Sequence, residues 1–242
     1  MAFFIIMEYT HFFDKRPAEK LDKIVRGEFD YKLIDKETRL LALIAAGQAS
    51  AKWKILKGLI GWASDIGLDS RKIYEVLLQG YLFCGYPKAI ESLFVFSNSY
   101  PADELRSNSG STLASEPIEA IRARGFLTAR IIYGKHLKLV HGSITGLSPE
   151  LGEGMIVEGY GRIISRPYLD LPTRELAIIS NLTVLHMPRQ LYSHVRGAFN
   201  VGVSAEQVKS IIRQCGLFLP RPKVQKALEV CEKSLGNKAK QG

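Results

Sequence analysis

The sequence lacks the features that mark several common classes of protein. Its 242 residues include only three cysteines, and Cys84, Cys215 and Cys231 form neither a CxxC motif nor a zinc-ligand spacing. We expect them to be packing residues rather than a disulfide framework or a redox centre. The apolar stretch at residues 3–7 is far shorter than the ~18 residues of a membrane-spanning helix, and it has no basic region or cleavage site beside it. We therefore expect a cytoplasmic protein that does not interact with membranes.

The sequence also lacks the spacings that would hold a metal or a nucleotide. His11, His136 and His141 have no carboxylate or cysteine at ligand spacing, so we expect no metal site. The glycine pairs at residues 152–154 and 159–161 have no preceding strand, which a nucleotide-binding loop requires.

Acidic and basic residues are unevenly distributed along the chain. Residues 1–105 hold 14 basic and 14 acidic side chains, whereas residues 106–242 hold 19 basic and 10 acidic ones, so the later residues carry the entire formal charge of +9. The basic residues there are not interleaved with aromatic ones and form no nucleic-acid-binding motif. This distribution favours a small anionic ligand or a solvated basic surface over a nucleic-acid partner.

An internal repeat organises the sequence. The segment Arg39-Leu-Leu-Ala-Leu-Ile is echoed 135 residues later by Arg174-Glu-Leu-Ala-Ile-Ile. The same offset, without a gap, pairs further positions: Ala63 with Ala198, Gly67 with Gly202, Val76 with Ile211, Gln79 with Gln214, Phe83 with Phe218 and Pro87 with Pro222. So long a run in one register predicts two related units. We place them at residues 1–106 and 117–242, with a small polar linker at residues 108–112.

Each unit has the pattern of consecutive helices joined by short breaks. In the second unit, Pro172 and Glu175 suit the first turn of a helix, and Gly202 suits a left-handed helix end. Ser204 and Gln207 are spaced as a capping box that opens the next helix.

Three more segments lie at the start of the second unit. The segments 117–133 and 148–165 also have a helical pattern. The stretch between them, residues 136–146, allows a short extended piece without predicting a sheet. We expect an all-α protein whose two units pack about a pseudo-twofold axis.

The second unit carries the segment Tyr160-Gly-Arg-Ile-Ile-Ser-Arg-Pro-Tyr-Leu. It is followed by Thr173-Arg-Glu-Leu and by His194-Val-Arg-Gly-Ala-Phe-Asn-Val-Gly-Val-Ser. Together these segments resemble γ-carboxymuconolactone decarboxylases, over residues 118–235 and more weakly over residues 31–96. The resemblance implies the AhpD-like helical bundle of the carboxymuconolactone decarboxylase and alkyl hydroperoxidase D-like superfamily. It also implies ring-shaped assemblies, for which a fused pair of units predicts a homotrimer equivalent to six units.

The alkyl hydroperoxidase D branch of this superfamily uses a Glu followed by Cys-x-x-Cys-x-x-x-His. Laid on this chain, that pattern places the Glu at Glu175 and the His at His194. Met187 and Gln190 stand at the two cysteine positions. A thioether and an amide cannot form a thiolate or a disulfide, so a thiol-based peroxidase is disfavoured.

The decarboxylase branch works on a carboxylated lactone and needs no metal or organic cofactor. Loss of CO₂ leaves carbanionic charge, which requires a general acid, and the substrate carboxylates require cationic or hydrogen-bonding groups. Of the two catalytic candidates, Glu175 and His194, we assign the general acid to His194. The candidates for holding a small anionic substrate are Arg166, Arg189, Arg196 and Tyr160.

The repeat gives a reason to pair Glu175 with His194. The equivalent positions in the first unit hold Leu40 and Leu59, so both polar residues are leucine there. Joint replacement is expected if the two side chains touch, because losing one would strand the polar group of the other. A buried Glu–His contact can also serve only to orient two helices.

Two functions of different class therefore stay open. The first is a cofactor-free decarboxylase or lyase acting on a small anionic lactone or keto acid. The second is a non-catalytic helical oligomer or ligand-binding module of the same fold. A closed pocket holding the pair and at least one arginine would favour the first, and a site packed solid with side chains would favour the second.

Overall fold

The computed structural model describes residues 32–100 and 116–238. Within these ranges the chain forms helices and turns without a strand, so the expected all-α class is confirmed. The apolar N-terminal segment and the polar linker at residues 108–112 lie outside the described residues. The α-helices, in chain order, are α1 Lys36–Ser50, α2 Trp53–Asp65, α3 Ser70–Gln79, α4 Tyr81–Ser97, α5 Ile118–Tyr133, α6 Leu137–Leu147, α7 Pro149–Gly154, α8 Leu171–Val184, α9 Pro188–Asn200, α10 Ala205–Gln214 and α11 Arg221–Lys238.

The helices of the first unit recur in the second at the offset of the sequence repeat. Helix α2 matches α9 and helix α3 matches α10 at both ends, and α1 and α8 begin at equivalent positions. The left-handed backbone recurs too, since Ala51 and His186 have φ of 56° and 57°, and Gly67 and Gly202 have φ of 70° and 93°. The backbone thus follows the register read from the sequence, while descent from two fused copies stays a proposal.

Local side chains begin several of these helices. Asp35 and Asp170 cap α1 and α8, and each carboxylate accepts a hydrogen bond from the backbone N–H three residues further on. Ser204 and Gln207 form the expected capping box at the start of α10. These caps fix where each helix starts, and therefore which side chains of α8 and α10 face inward.

Helices α1 and α8 pack against each other at the centre of the molecule. Residues 39–49 and 173–184 are all buried, so each helix is surrounded on every side. One apolar cluster lies mainly among α1 to α4, and a second lies mainly among α5 and α8 to α11. A polar group on α1 or α8 therefore needs a partner inside the protein.

The stretch that allowed a short extended piece is helical instead. A 3₁₀ turn at Gly134–His136 leads into α6, none of whose residues is buried. The expectation was wrong because Leu137, Val140 and Ile144 recur with helical rather than alternating spacing.

The helix expected over residues 148–165 is present, but its second half is a π-helix at Met155–Ile164. This segment crosses α5 at very short range. A Cβ at Gly125 would lie 2.1 Å from the carbonyl oxygen of Ile156, and one at Gly161 would lie 2.5 Å from that of Ile121. Only glycine at both positions allows the two backbones to approach so closely.

The three cysteines are free thiols in or beside the core. Cys215 and Cys231 are buried and Cys84 is partly buried. Burial raises the pKa of Cys84 and Cys231 to about 11 and that of Cys215 to about 12. Such thiols carry little thiolate at neutral pH, which suits packing residues. Across the described residues, no helix combines the length and apolar character needed to cross a bilayer.

Candidate functional site

Glu175 on α8 and His194 on α9 lie in direct contact. The His194 Nδ1 atom is 2.9 Å from the Glu175 Oε2 atom. Glu175 is 0% exposed and His194 is 7% exposed. The contact inferred from the repeat is therefore present, inside the core formed by the second apolar cluster.

Three aromatic side chains enclose the pair. Phe83 of α4 meets the ring of His194 edge-on, with ring centroids 5.4 Å apart, and Tyr133 of α5 lies 6.3 Å from the same ring. Tyr160, in the π-helix, donates a hydrogen bond of 2.7 Å to the hydroxyl oxygen of Tyr133. The site thus draws on α4, α5, the π-helix, α8 and α9.

The two tyrosines remain protonated at neutral pH. Burial raises the pKa of Tyr133 and of Tyr160, and the nearby carboxylate of Glu175 raises both further. Their hydroxyl groups are thus donors in a region that also holds a carboxylate and an imidazole. Tyr160 is among the candidates named from the sequence, whereas Tyr133 has no predicted role there, and Phe83 has one only as a position of the repeat.

The absence of a side chain at Gly197 leaves room for the Glu175 carboxylate between α8 and α9. A Cβ at this position would lie 2.7 Å from Cγ2 of Ile132 and 3.1 Å from Oε2 of Glu175. Glycine one turn after His194 therefore lets α9 approach α8 and α5 closely enough for the Glu–His hydrogen bond.

The free atoms of the pair define its chemistry. With Nδ1–H donating to Oε2, the neutral ring keeps its lone pair on Nε2, and the protonated ring would carry an acidic Nε2–H. Within the described residues Nε2 has no hydrogen bond and is not among the fully buried unbonded atoms, so it retains contact with solvent. The Oε1 atom of Glu175 is fully buried and also has no hydrogen-bond partner in those residues. A buried, oriented imidazole with one accessible nitrogen is suited to proton transfer.

The equivalent place in the first unit is apolar. Leu40 on α1 and Leu59 on α2 are both 0% exposed and belong to the first apolar cluster. Neither leucine has a side-chain group that can transfer a proton.

The candidate arginines lie in three different environments. The Arg166 Nε atom donates to Glu75 Oε1 at 2.8 Å, so that guanidinium is already paired. Arg189 is exposed on the first turn of α9. Arg196 donates to His136 Nε2 at 2.9 Å and lies over the ring of Tyr192. No hydrogen bond joins any of the three to Glu175 or His194 within the described residues.

A second polar cluster joins the two units and was not foreseen. The Glu75 carboxylate on α3 accepts hydrogen bonds of 2.8 Å from both Arg166 and Arg174. Arg174 also donates to Gln79 Oε1, while Gln79 Nε2 donates to the Arg174 carbonyl. Burial lowers the pKa of Arg174, and Glu75 opposes that shift. At the equivalent positions of the repeat, Arg39 donates a hydrogen bond of 3.0 Å to the uncharged hydroxyl oxygen of Ser210 instead of forming an ion pair.

The fold and the site define a class: an all-helical protein with a buried Glu–His pair between two adjacent helices. Residues 149–233 match the model of the carboxymuconolactone decarboxylase family. This region is about a third of the chain, and it contains both Glu175 and His194.

Two relatives are similar to this chain. One is a 4-carboxymuconolactone decarboxylase of Acinetobacter baylyi, 34% identical over 73 residues, which are 30% of this chain and 54% of the relative. The other is the peroxisomal protein 2 of Schizosaccharomyces pombe, 28% identical over 157 residues, which are 60% of this chain and 71% of the relative. The match thus spans about half the length of the bacterial decarboxylase.

Proposed function

We propose that this protein is a cofactor-free decarboxylase or lyase that acts on a small anionic lactone or keto acid. The observation that carries the proposal is the buried hydrogen bond between Glu175 and His194, which leaves Nε2 accessible. The match of residues 149–233 to the carboxymuconolactone decarboxylase family model and the similarity to a 4-carboxymuconolactone decarboxylase support the same substrate class.

The proposed reaction assigns one role to each member of the pair. As CO₂ leaves the substrate carboxylate, the electron pair of the broken carbon–carbon bond stays on carbon and is delocalised into the adjacent carbonyl group. The protonated His194 then donates its Nε2 proton to that carbon. Glu175 orients the ring and stabilises its positive charge, as a buried carboxylate does for a catalytic histidine.

The substrate carboxylates require a cation as well. Arg189 and Arg196 are the proposed binding residues, because Arg189 is exposed and Arg196 is partly exposed on the same helix as His194. Arg166 is less suited, since it already pairs with Glu75. The buried hydroxyl of Tyr160 is proposed to act through Tyr133, its hydrogen-bond partner.

One observation favours the alternative, a non-catalytic ligand-binding or scaffolding module. Phe83, Tyr133 and Tyr160 pack around His194, and only 8% of its side chain is exposed. A small substrate needs more room than this, so catalysis in a single chain requires one of these aromatic side chains to move.

A turnover assay separates the two functions. CO₂ release is measured with 4-carboxymuconolactone and a panel of carboxylated lactones and keto acids, for the wild type, His194→Gln and, as a packing control, Leu59→Ala. We expect His194→Gln to lower kcat/KM by about 100-fold or more while Leu59→Ala keeps its rate wherever it stays folded. Turnover that survives His194→Gln would contradict the catalytic role, and no turnover across the panel would support the module.

We also propose a homotrimer, in which the two units of each chain supply six in total. Tyr86, Ile90 and Phe94 form a stripe along α4, one turn apart, and are 64%, 50% and 46% exposed. A second copy of the chain offers apolar side chains of the same kind, and a closed ring would bury the stripe in every subunit. Analytical ultracentrifugation should show a trimer that Ile90→Glu dissociates, whereas a monomeric wild type at micromolar concentration would contradict the assembly.

The cytoplasm remains our proposed location. The name of the fission-yeast relative makes the peroxisome the alternative to test. Imaging of a fluorescent fusion in the source cells distinguishes a diffuse signal from a punctate one.

A further inference from the structure

A basic cleft lies between α5 and α6, apart from the Glu–His pair. It has a volume of about 530 Å³, and neither Glu175 nor His194 lines it. Three cations, Arg130, Lys135 and Lys138, line the cleft together with His141, and no acidic side chain among the described residues does. This volume is in the range of sites that hold small organic ligands.

No acidic side chain of the described residues forms an ion pair with the cations of the cleft. Arg122 and Arg124, on the same helix as Arg130, form ion pairs with glutamates. Within the described ranges, the side chains of Arg130, Lys135 and Lys138 take part in no ion pair or hydrogen bond. Positive charges gathered around a concave surface repel one another and attract anions, so a bound anion would relieve the repulsion.

The cleft also has an apolar wall. Phe126, which is 41% exposed, packs edge-on against the ring of His141 with centroids 5.6 Å apart. Leu137 lines the cleft from the opposite helix, α6. An inorganic anion would leave this apolar surface uncovered, whereas an organic anion would bury it.

We propose that the cleft between α5 and α6 is a binding site for an organic anion with an apolar ring or chain. Arg130, Lys135 and Lys138 hold the charged group, and Phe126 and Leu137 contact the apolar body. The site is independent of the proposed decarboxylase activity, because it shares no side chain with the Glu–His pair. An anionic group attached to an apolar body occurs in free aromatic or aliphatic acids and in anionic lipids. The test below distinguishes these two sources.

Two glycines of α6 provide a matched pair of variants. Gly142 lines the cleft and Gly146 lies one turn further on without lining it. A Cβ at either position would meet no atom within 4 Å, so a side chain fits at both without a clash. Gly142→Glu places a carboxylate in the cleft, and Gly146→Glu makes the same change in net charge and in helix propensity outside it.

Binding is measured by isothermal titration calorimetry with phthalate and with inorganic phosphate at physiological salt. We expect Gly142→Glu to weaken phthalate binding by about ten-fold or more, because its carboxylate enters the cleft. Gly146→Glu should change the binding by less than about three-fold, because its carboxylate lies outside the cleft in solvent, where the high dielectric constant and salt weaken its repulsion. Phe126→Ala should weaken the binding of phthalate and leave that of phosphate unchanged, since phosphate has no apolar body.

The lipid source is tested by co-sedimentation with phosphatidylcholine vesicles that contain phosphatidylglycerol. Sedimentation that Gly142→Glu abolishes assigns the anion to a lipid, and phthalate binding without sedimentation assigns it to a free acid. The proposal is overturned if neither phthalate nor the vesicles bind. An equal loss of binding in the two glutamate variants also overturns it, because net charge alone would then explain the attraction.

Discussion

The two units place different chemistry at the same position of the fold. In the second unit Glu175 and His194 form a buried hydrogen bond, and in the first unit Leu40 and Leu59 fill the equivalent positions. The surrounding helices match in their boundaries, and the left-handed residues Ala51 and His186 recur at the same offset. A helical frame of this kind is therefore stable with either a polar or an apolar pair, and the polar one is not needed to form the helices.

The polar contacts between the units are also unequal. Glu75 of the first unit binds Arg166 and Arg174 of the second, while its equivalent, Ser210, binds Arg39 through a hydroxyl. The two units are alike in backbone and different in where they hold charge. The predictions below test that difference.

The largest effect is expected at Glu75. Replacing it by leucine leaves the buried guanidinium of Arg174 without its carboxylate, which should lower the free energy of unfolding by about 3–5 kcal/mol. Ser210→Ala is the matched control and removes one hydrogen bond to Arg39, so it should cost about 1–2 kcal/mol. Urea denaturation measures both values, and equal losses would contradict the inequality of the two contacts.

The next effect compares apolar packing with the polar pair. Leu59→Ala should lower the free energy of unfolding by about 3 kcal/mol, because it opens a cavity around a fully buried side chain. His194→Ala should lower the free energy of unfolding by about 2 kcal/mol, because it removes a packed ring and leaves the Glu175 carboxylate without its hydrogen-bond partner. A loss from His194→Ala well above that of Leu59→Ala would indicate that the pair exists mainly for stability.

A smaller effect is the coupling within the pair. Glu175→Leu and His194→Leu each leave one polar partner alone, whereas the double variant recreates the Leu40 and Leu59 arrangement. We expect the double variant to be more stable than the sum of the single changes predicts, by about 1–3 kcal/mol. Thermal or urea unfolding of the four proteins measures this coupling, and strict additivity would mean that the two side chains do not depend on each other.

The smallest expected effect is a pH dependence of stability at the contact between Arg196 and His136. The first unit has no such contact, since Gly61 stands at the position equivalent to Arg196. Burial, and then the Arg196 guanidinium, lowers the pKa of His136 below its usual 6.5. The unfolded chain then binds more protons than the folded one just below pH 6.5, so stability falls as the pH falls through that range. The Tm of the wild type should therefore drop slightly more than that of His136→Gln between about pH 7 and pH 5.5. Parallel pH profiles would contradict the linkage.

Local sequence signals predicted most of the helices. Pro172, Ser204 and Gly202 act through groups within a few residues, so their roles depend little on the rest of the chain. The Glu175–His194 contact is long-range. The family resemblance singled out the two residues, and the repeat indicated their contact by showing leucine at both equivalent positions.

The features that the sequence did not predict depend on how distant helices pack. Tyr133 and Phe83 reach His194 from α5 and α4, and nothing in their own segments distinguishes them from ordinary core residues. The Glu75–Arg174 ion pair was not predicted, because the repeat equivalent of Glu75 is Ser210 and so no charged pair recurs in the sequence. The π-helix was missed because its apolar spacing resembles that of an α-helix, and what sets it apart is the close crossing at Gly161.

The central claim is that only the second unit carries a chemically active pair. The most direct test measures CO₂ release from 4-carboxymuconolactone by the double variant Glu175→Leu/His194→Leu, which gives the second unit the arrangement of the first. The control variant, Leu40→Gln/Leu59→Gln, changes the two equivalent positions of the first unit and leaves Glu175 and His194 in place. The account predicts that the first variant folds but releases CO₂ no faster than the buffer blank, while the second, where folded, keeps the wild-type rate. Wild-type turnover in a folded Glu175→Leu/His194→Leu protein would contradict it.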